Sequence, residues 1–84
     1  MPNVVMYTTH VCPFCVRAKR LLTAKGIAFE ERLVELSPEG RQLLVDLTGR
    51  QTVPQILIDE TPIGGFDELS ALNTSGELDR LLAA

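Results

Sequence analysis

The only two cysteines of the chain, Cys12 and Cys15, are separated by two residues. A disulfide stabilises a fold mainly by closing a long loop of the unfolded chain, so a bridge across two residues is a poor structural staple. Redox chemistry, metal binding and coincidence remain as interpretations, and we favour redox chemistry at this spacing. Because only a thiolate attacks a disulfide, one of the two sulfurs must be ionised near neutral pH.

A helix that begins at the cysteines would favour that ionisation. Pro13 suits the first helical position, since its missing N–H would be unpaired there. Cys12 then lies at the helix N-terminus, where unpaired N–H groups and the positive end of the helix dipole favour an anion. We therefore expect Cys12 to be the exposed nucleophile. Cys15 lies on the apolar side of the same helix and is expected to be the shielded, resolving thiol.

Two later segments could hold a ligand. The first, Thr52-Val53-Pro54, is either a plain loop that enters a strand or a backbone site, because proline cannot donate to a strand ladder and leaves neighbouring groups free. The second, Gly64-Gly65, is either a hairpin exit or a place where a ligand comes close to the backbone. A helix N-terminus directly after it could hold a carboxylate.

The elements that position these residues follow from hydrophobic periodicity and helix caps. Strands are predicted over residues 3–8, near 28–34, over 55–58 and over 61–63; helices are predicted from the cysteines to Gly26, from Ser37 to Gly49, from about Asp67, and from Ser75. The order βαβαββαα predicts an α/β fold in which the first βαβ unit is parallel and the hairpin adds two antiparallel strands.

The apolar stripes of the first two helices predict their buried faces. In the first helix Cys15, Ala18 and Leu22 recur at helical spacing. In the second helix the predicted buried face consists of Gly40, Leu43, Leu44 and Leu47.

The positions of the charges are more informative than the net charge of −3. All eleven acids lie in residues 30–84, whereas residues 1–29 carry only bases: Arg17, Lys19, Arg20 and Lys25. We expect the first three of these to add positive potential near Cys12. The acidic balance of the whole chain and the scarcity of aromatic residues disfavour nucleic-acid binding.

Length and hydropathy bound the organisation. A chain of 84 residues is predicted to form one domain, residues 1–84. No apolar run approaches the ~18 residues of a membrane span, and the start has no signal-peptide pattern. We therefore expect no membrane association and a cytoplasmic location.

Three motifs together resemble a known family. Cys12-Pro13-Phe14-Cys15, Thr52-Val53-Pro54 and Gly64-Gly65-Phe66-Asp67 have the order and spacing of the glutaredoxins, and the chain resembles a small bacterial-type dithiol glutaredoxin over its whole length. The resemblance implies a thioredoxin-like fold with a four-stranded mixed sheet flanked by helices. It implies a monomer that uses glutathione to reduce protein disulfides and glutathionylated proteins, with ribonucleotide reductase as one partner.

The resemblance also implies site roles. Cys12 and Cys15 would be catalytic, the Val53–Pro54 bond would be cis, and glutathione would be bound by a set of eight residues: Phe14, Arg41, Thr52, Val53, Pro54, Gly65, Phe66 and Asp67. Within this set Val53 would pair with the cysteinyl unit through its main chain, and Asp67 would hold the γ-glutamyl end. Arg41 would reach the glycyl carboxylate.

The chain departs from the family pattern at three positions. Phe14 replaces a common tyrosine, Thr9 replaces a common lysine near the thiolate, and Phe66 replaces a frequent cysteine, so only its backbone contact is carried over. His10 is interpreted as an exposed loop residue that could tune Cys12 electrostatically.

The residues leave several functions open. A zinc site usually needs four ligands, and Cys12, Cys15 and His10 supply at most three, so no metal is expected. A [2Fe–2S] cluster ligated by glutathione between two subunits is an alternative, although proline within the motif disfavours it. A redoxin reduced by thioredoxin reductase and a non-catalytic binding module remain as further interpretations.

Overall fold

The computed structural model describes residues 2–83; Met1 and Ala84 lie outside the described part. Four strands and four helices follow one another in the predicted order. They are β1 (Val4–Thr8), α1 (Pro13–Ala24), β2 (Glu30–Leu33), α2 (Pro38–Thr48), β3 (Gln55–Ile58), β4 (Thr61–Gly64), α3 (Phe66–Ser75) and α4 (Glu77–Leu82). Within these residues no helix is long and apolar enough to cross a membrane.

The four strands form one mixed sheet in the order β2-β1-β3-β4. The strand β1 pairs in parallel with β2 and antiparallel with β3, and β3 continues antiparallel into β4. This arrangement confirms the predicted four-stranded mixed sheet with flanking helices. Because β1 and β3 are central, the loops at the end of β1 and at the start of β3 are neighbours, through the pairing of Tyr7 with Gln55.

The two faces of the sheet are covered unequally. One face carries the larger core, in which Met6 and Ile56 pack against Ala18 and Leu22 of α1 and against Leu69 of α3. The buried stripe predicted for α1, including Cys15 at 1% exposure, is confirmed.

The opposite face is covered by α2, and here the prediction for the buried stripe was wrong in part. Leu44 is buried against Val5, Tyr7 and Leu57. Leu43 and Leu47, however, are 45% and 38% exposed. The single helix on this face places one leucine over the sheet and leaves its neighbours at the edge of the contact.

Two element boundaries differ from the sequence prediction. The second strand is shorter than expected and is exposed along its length, because it forms the outer edge of the sheet. The fourth helix starts at Glu77 and not at Ser75, which is the last residue of α3. Gly76 between them has a positive φ of 83°, and the Ser75 hydroxyl accepts the Glu77 N–H at 3.3 Å. The serine therefore contacts the next helix without beginning it.

Candidate active site

The cysteine pair lies where β1 has ended and α1 begins. Cys12 is the N-cap of α1 in extended conformation, with Pro13 in the first turn as predicted. Cys12 and Cys15 are joined by a disulfide, with their Cα atoms 5.2 Å apart. The Cys15 N–H donates to the Cys12 Sγ at 3.1 Å, so this sulfur occupies the position of a capping acceptor. The same N–H would stabilise negative charge on Cys12 after reduction.

The two sulfurs differ in their surroundings. Cys15 is almost completely buried on the core side of α1, whereas Cys12 is half-buried at the helix end. A molecule that approaches from solvent therefore reaches Cys12 first.

A cavity of about 200 Å³ lies beside the cysteine pair. Its walls come from three places in the chain: the first turn of α1, the loop before β3, and the junction of β4 with α3. Nine residues line it: Phe14, Arg50, Thr52, Val53, Pro54, Gly65, Phe66, Asp67 and Glu68.

The loop before β3 brings backbone groups to the cysteine. The carbonyl oxygen of Val53 lies 3.8 Å from the Cys12 Sγ, a contact distance, because a disulfide sulfur carries no hydrogen to donate. The Val53–Pro54 peptide bond is cis, as the resemblance implied. The pairing of β3 with β1 begins at Gln55, so the peptide groups of Val53 lie outside the ladder. The Gln55 side-chain amide donates to the Thr52 hydroxyl at 3.2 Å and holds the loop against the strand.

The junction of β4 with α3 brings the helix N-terminus to the same cavity. Gly64 has a φ of +112°, a conformation that L side chains rarely adopt. A Cβ at this position would lie 2.8 Å from the Glu68 side chain. A Cβ on Gly65 would lie 3.1 Å from the Pro54 carbonyl oxygen. The two glycines therefore allow this wall to approach the loop before β3 closely.

Glu68 connects the two walls. One carboxylate oxygen accepts the Gly65 N–H at 3.2 Å, and the other accepts a hydrogen bond from the Arg50 guanidinium. Arg50, together with the N–H groups of Glu68 and Gly65, holds the pKa of the Glu68 carboxyl below its usual value. The carboxylate thus stays ionised and ties residue 50 to the start of α3.

An aromatic contact crosses the mouth of the cavity. The rings of Phe14 and Phe66 are 6.2 Å apart at a tilt of 34°. The Arg17 guanidinium lies 5.2 Å from the centre of the Phe14 ring, on the side of α1. This places a cation next to the cavity without any carboxylate bound to it among residues 2–83.

Lys19 contributes less positive potential than the sequence suggested. Its ammonium group forms an ion pair with Glu31 of β2 at 3.0 Å. The Glu31 carboxylate also accepts the buried Thr8 hydroxyl at 2.7 Å. The Thr8 hydrogen bond, followed by that of Lys19, lowers the pKa of Glu31. A lysine paired with an ionised carboxylate adds little net field at Cys12. Among residues 2–83, Arg17 and Arg20 are then the cations of α1 that form no ion pair.

The structure brings together all but one of the predicted glutathione-binding residues. Arg41 is the exception: it lies in the first turns of α2 and does not line the cavity. Arg50 and Glu68 do line it and were missed by the sequence analysis. Glu68 stands three residues after the N-cap Gly65, where the acid of a capping box stands, and this half of the signal could have indicated its hydrogen bond with the Gly65 N–H.

The candidate metal ligands do not assemble. Among residues 2–83 no group of three or more His, Cys, Asp or Glu side chains could hold a metal ion. His10 is exposed.

Comparison with known proteins gives a consistent result. The glutaredoxin family model matches residues 4–63. The chain is 52% identical over 84 residues to a glutaredoxin of Pseudomonas aeruginosa, and the match covers both chains completely. The solution structure of a glutaredoxin from Brucella melitensis superposes with a TM-score of 0.84 at 45% identity, over 98% of this chain and 89% of the other. A crystal structure of a buckwheat glutaredoxin–glutathione complex superposes with a TM-score of 0.86 at 26% identity, over 98% of this chain and 77% of the other.

The TM-scores confirm the thioredoxin-like fold. The family match and the cysteine pair agree in their chemistry, which is exchange between thiols and disulfides. The chain therefore belongs to the glutaredoxin family and is a thiol–disulfide oxidoreductase.

Proposed function

We propose that the protein reduces protein disulfides and glutathionylated proteins with glutathione as co-substrate. Cys12 is the nucleophile, Cys15 resolves mixed disulfides with protein substrates, and the cavity beside Cys12 holds glutathione. The whole chain, residues 1–84, acts as a single glutaredoxin domain.

One observation carries this proposal. The half-buried sulfur of Cys12 lies at the N-terminus of α1, within 3.8 Å of the Val53 carbonyl and beside a cavity of about 200 Å³. A peptide backbone placed there could pair with the peptide groups of Val53 as an added strand does. The N–H groups at the N-terminus of α3, at Phe66 and Asp67, would donate to the α-carboxylate of the γ-glutamyl unit. The similarity to the buckwheat glutaredoxin–glutathione complex supports the same ligand.

With a glutathionylated protein, the reaction needs Cys12 alone. The Cys12 thiolate attacks the glutathione sulfur, and the protein sulfur leaves as a thiolate that takes up a proton. The resulting Cys12–glutathione disulfide is attacked by a second glutathione thiolate, which forms oxidised glutathione and restores the Cys12 thiolate.

With a protein disulfide, both cysteines take part. Cys12 attacks one substrate sulfur and the other leaves as a thiolate. Cys15 then loses its proton and attacks the Cys12 sulfur, which releases the second substrate thiolate and forms the Cys12–Cys15 disulfide present in the structure. Two glutathione molecules reduce that bridge and leave as oxidised glutathione.

A coupled assay tests the proposal. The substrate is the mixed disulfide of glutathione with 2-mercaptoethanol, and NADPH oxidation is followed in the presence of glutathione reductase. We expect oxidation that requires both the protein and glutathione. Turnover sustained by thioredoxin reductase without glutathione would contradict the proposal and support a redoxin that is reduced by thioredoxin reductase. Absence of turnover with either reductase would also overturn the proposal.

The remaining expectations from the family stay predictions. They concern ribonucleotide reductase as a substrate, a monomeric state and a cytoplasmic location. Purification without oxygen tests the monomer together with the absence of a cluster, because a coloured dimer would contradict both.

A further inference from the structure

The exposed side of α1 next to Cys12 is both apolar and cationic. We call it the α1 flank, and it consists of Val11, Phe14, Val16, Arg17 and Arg20. Val11 is 89%, Phe14 51% and Val16 43% exposed, although large apolar side chains are usually buried. Val16 and Arg17 precede Arg20 by four and three positions, so each of them is a neighbour of Arg20 on the helix surface.

The charge of the α1 flank is not neutralised. Among residues 2–83, Lys19 is paired with Glu31, and Lys25, the C-cap of α1, is paired with Asp79. Neither Arg17 nor Arg20 takes part in any of the ion pairs within those residues. No acid occurs in residues 1–29 that could compensate them.

The cavity beside Cys12 differs from the α1 flank in character. The cavity is lined by backbone-rich loops, by two acids, Asp67 and Glu68, and by Arg50, which is paired with Glu68. Of the α1 flank, only Phe14 lines it. A tripeptide held in the cavity therefore leaves the other flank residues uncovered. When glutathione is attached to a protein cysteine, the polypeptide must leave the sulfur in a direction that the tripeptide does not fill, and the exposed flank adjoins the cavity at Phe14.

We propose that the α1 flank docks the polypeptide part of the substrate and selects cysteines that are flanked by acidic and apolar residues. This inference rests on the proposed function and specifies its substrate class. Acidic side chains complement Arg17 and Arg20, and an apolar side chain covers Val11 or Val16. The Phe14 ring, which the Arg17 guanidinium overlies, joins the flank to the cavity, so that the docked polypeptide is continuous with the bound glutathione.

Exposed charges of this kind act mainly on encounter and on discrimination between partners. Two unpaired arginines favour an acidic over a basic peptide by about tenfold in kcat/KM at low salt, the lower end of the range for electrostatic steering. Salt shortens the Debye length from about 30 Å at 0.01 M to about 3 Å at 1 M, so the preference should shrink to about twofold at high salt.

The test uses two glutathionylated peptides that are identical except for aspartates or lysines on either side of the cysteine. For each protein variant, kcat/KM is measured on both peptides at low and high salt. The value is divided by that for the mixed disulfide of glutathione with 2-mercaptoethanol, which has no polypeptide. The ratio removes any effect of a substitution on the reactivity of Cys12.

The matched variants are Arg20→Glu and Arg80→Glu. Both reverse one exposed arginine and change the net charge equally, but Arg80 lies on α4, where it forms an ion pair with Glu77. We expect Arg20→Glu to lower the acidic preference about threefold and Arg17→Glu/Arg20→Glu to reverse it, whereas Arg80→Glu leaves it unchanged.

The measurements distinguish failure of the proposed function from failure of the inference about the α1 flank. Absence of wild-type turnover on the small mixed disulfide overturns the proposed function, and the inference with it. Normal turnover of that substrate with equal rates on the two peptides overturns the inference alone. If Arg20→Glu and Arg80→Glu lower the preference for the acidic peptide equally, the preference comes from the net charge, and the inference is overturned.

Discussion

The two sides of the Cys12 sulfur are built in different ways. One side is the contiguous segment of residues 11–20, where a single helix end supplies the capping N–H, the proline and the exposed arginines. The other side joins the loop at residues 50–54 to the glycine junction at residues 64–68, and these segments are tied together by Glu68.

This difference separates reactivity from recognition. Stabilisation of a thiolate at a helix N-terminus needs only the local backbone and survives changes elsewhere. The cavity depends on the spacing of two distant loops, so a shift of either loop changes ligand binding without touching the sulfur. For a glutathione mixed disulfide without a polypeptide, the comparison therefore predicts that substitutions on the first side act on the chemical step and that substitutions on the second side act on KM.

Replacement of the nucleophile gives the largest expected effect. Cys12→Ser should abolish turnover on every disulfide substrate, because a serine hydroxyl is not ionised at neutral pH and forms no mixed disulfide. The coupled assay measures the loss, and tripeptide binding is measured separately by titration with oxidised glutathione. A Cys12→Ser variant that retains activity would place the nucleophile elsewhere.

Replacement of the second cysteine should divide the two activities. In Cys15→Ser we expect turnover of a glutathionylated substrate to persist within about threefold, since that route uses Cys12 alone. Reduction of a protein disulfide should fall by more than about tenfold, because trapped mixed disulfides are no longer resolved internally. Higher activity of Cys12→Ser than of Cys15→Ser on the glutathionylated substrate would reverse the assigned roles.

The local side of the site could be predicted from the sequence because each signal lies within one helical turn or one strand. Pro13 indicates the start of α1, and the spacing of Cys15, Ala18 and Leu22 indicates its buried face. The structure confirms both. The pairing of Lys19 with Glu31 could not be predicted, because it depends on the register of two strands and not on spacing along the chain.

The cavity side could be predicted only through the family motifs. The sequence between positions 50 and 68 does not predict the hydrogen bond between Arg50 and Glu68, because this contact forms across two loops and a hairpin. The wrong placement of Arg41 has the same cause. The sequence predicts its position on α2 but not its distance from the cavity. The exposure of Leu43 and Leu47 could not be predicted either, because it depends on how much of the sheet face the single helix α2 covers.

Gly64→Ala should damage the cavity side by an intermediate amount. An alanine at φ +112° is strained. Its Cβ would also lie 2.8 Å from the Glu68 side chain, which would have to move. Strain of this kind costs roughly 1–3 kcal/mol. We expect a loss of stability in that range in urea unfolding and a rise in KM for the glutathione mixed disulfide of about tenfold.

Gly26→Ala is the matched control for that substitution. Gly26 also has a positive φ, of 71°, but a Cβ there would meet no atom within 4 Å. It should lose stability through backbone strain and keep the wild-type KM. Equal changes of KM in the two variants would show that the glycine junction does not shape the cavity.

The connection between the two walls gives the smallest and sharpest effect. Glu68→Gln keeps an oxygen for the Gly65 N–H but loses the ion pair with Arg50, which is partly exposed and therefore worth about 1 kcal/mol or less. We expect KM for the glutathione mixed disulfide to rise two- to fivefold with kcat nearly unchanged. Glu77→Gln removes an ion-paired glutamate at the start of α4 and should change neither constant.

Acidification should remove the ion pair of Glu68 with Arg50, as Glu68→Gln does. Because the folded-state pKa of Glu68 is lowered, its contribution to stability is fully present above the pKa of the unfolded chain and disappears as the pH falls through the folded-state value. The difference in unfolding free energy between the wild type and Glu68→Gln should therefore be constant near neutrality and shrink below about pH 4. A difference that persists in acid would mean that Glu68 joins the walls by packing and not by charge, and the two sides of Cys12 would then differ in geometry alone.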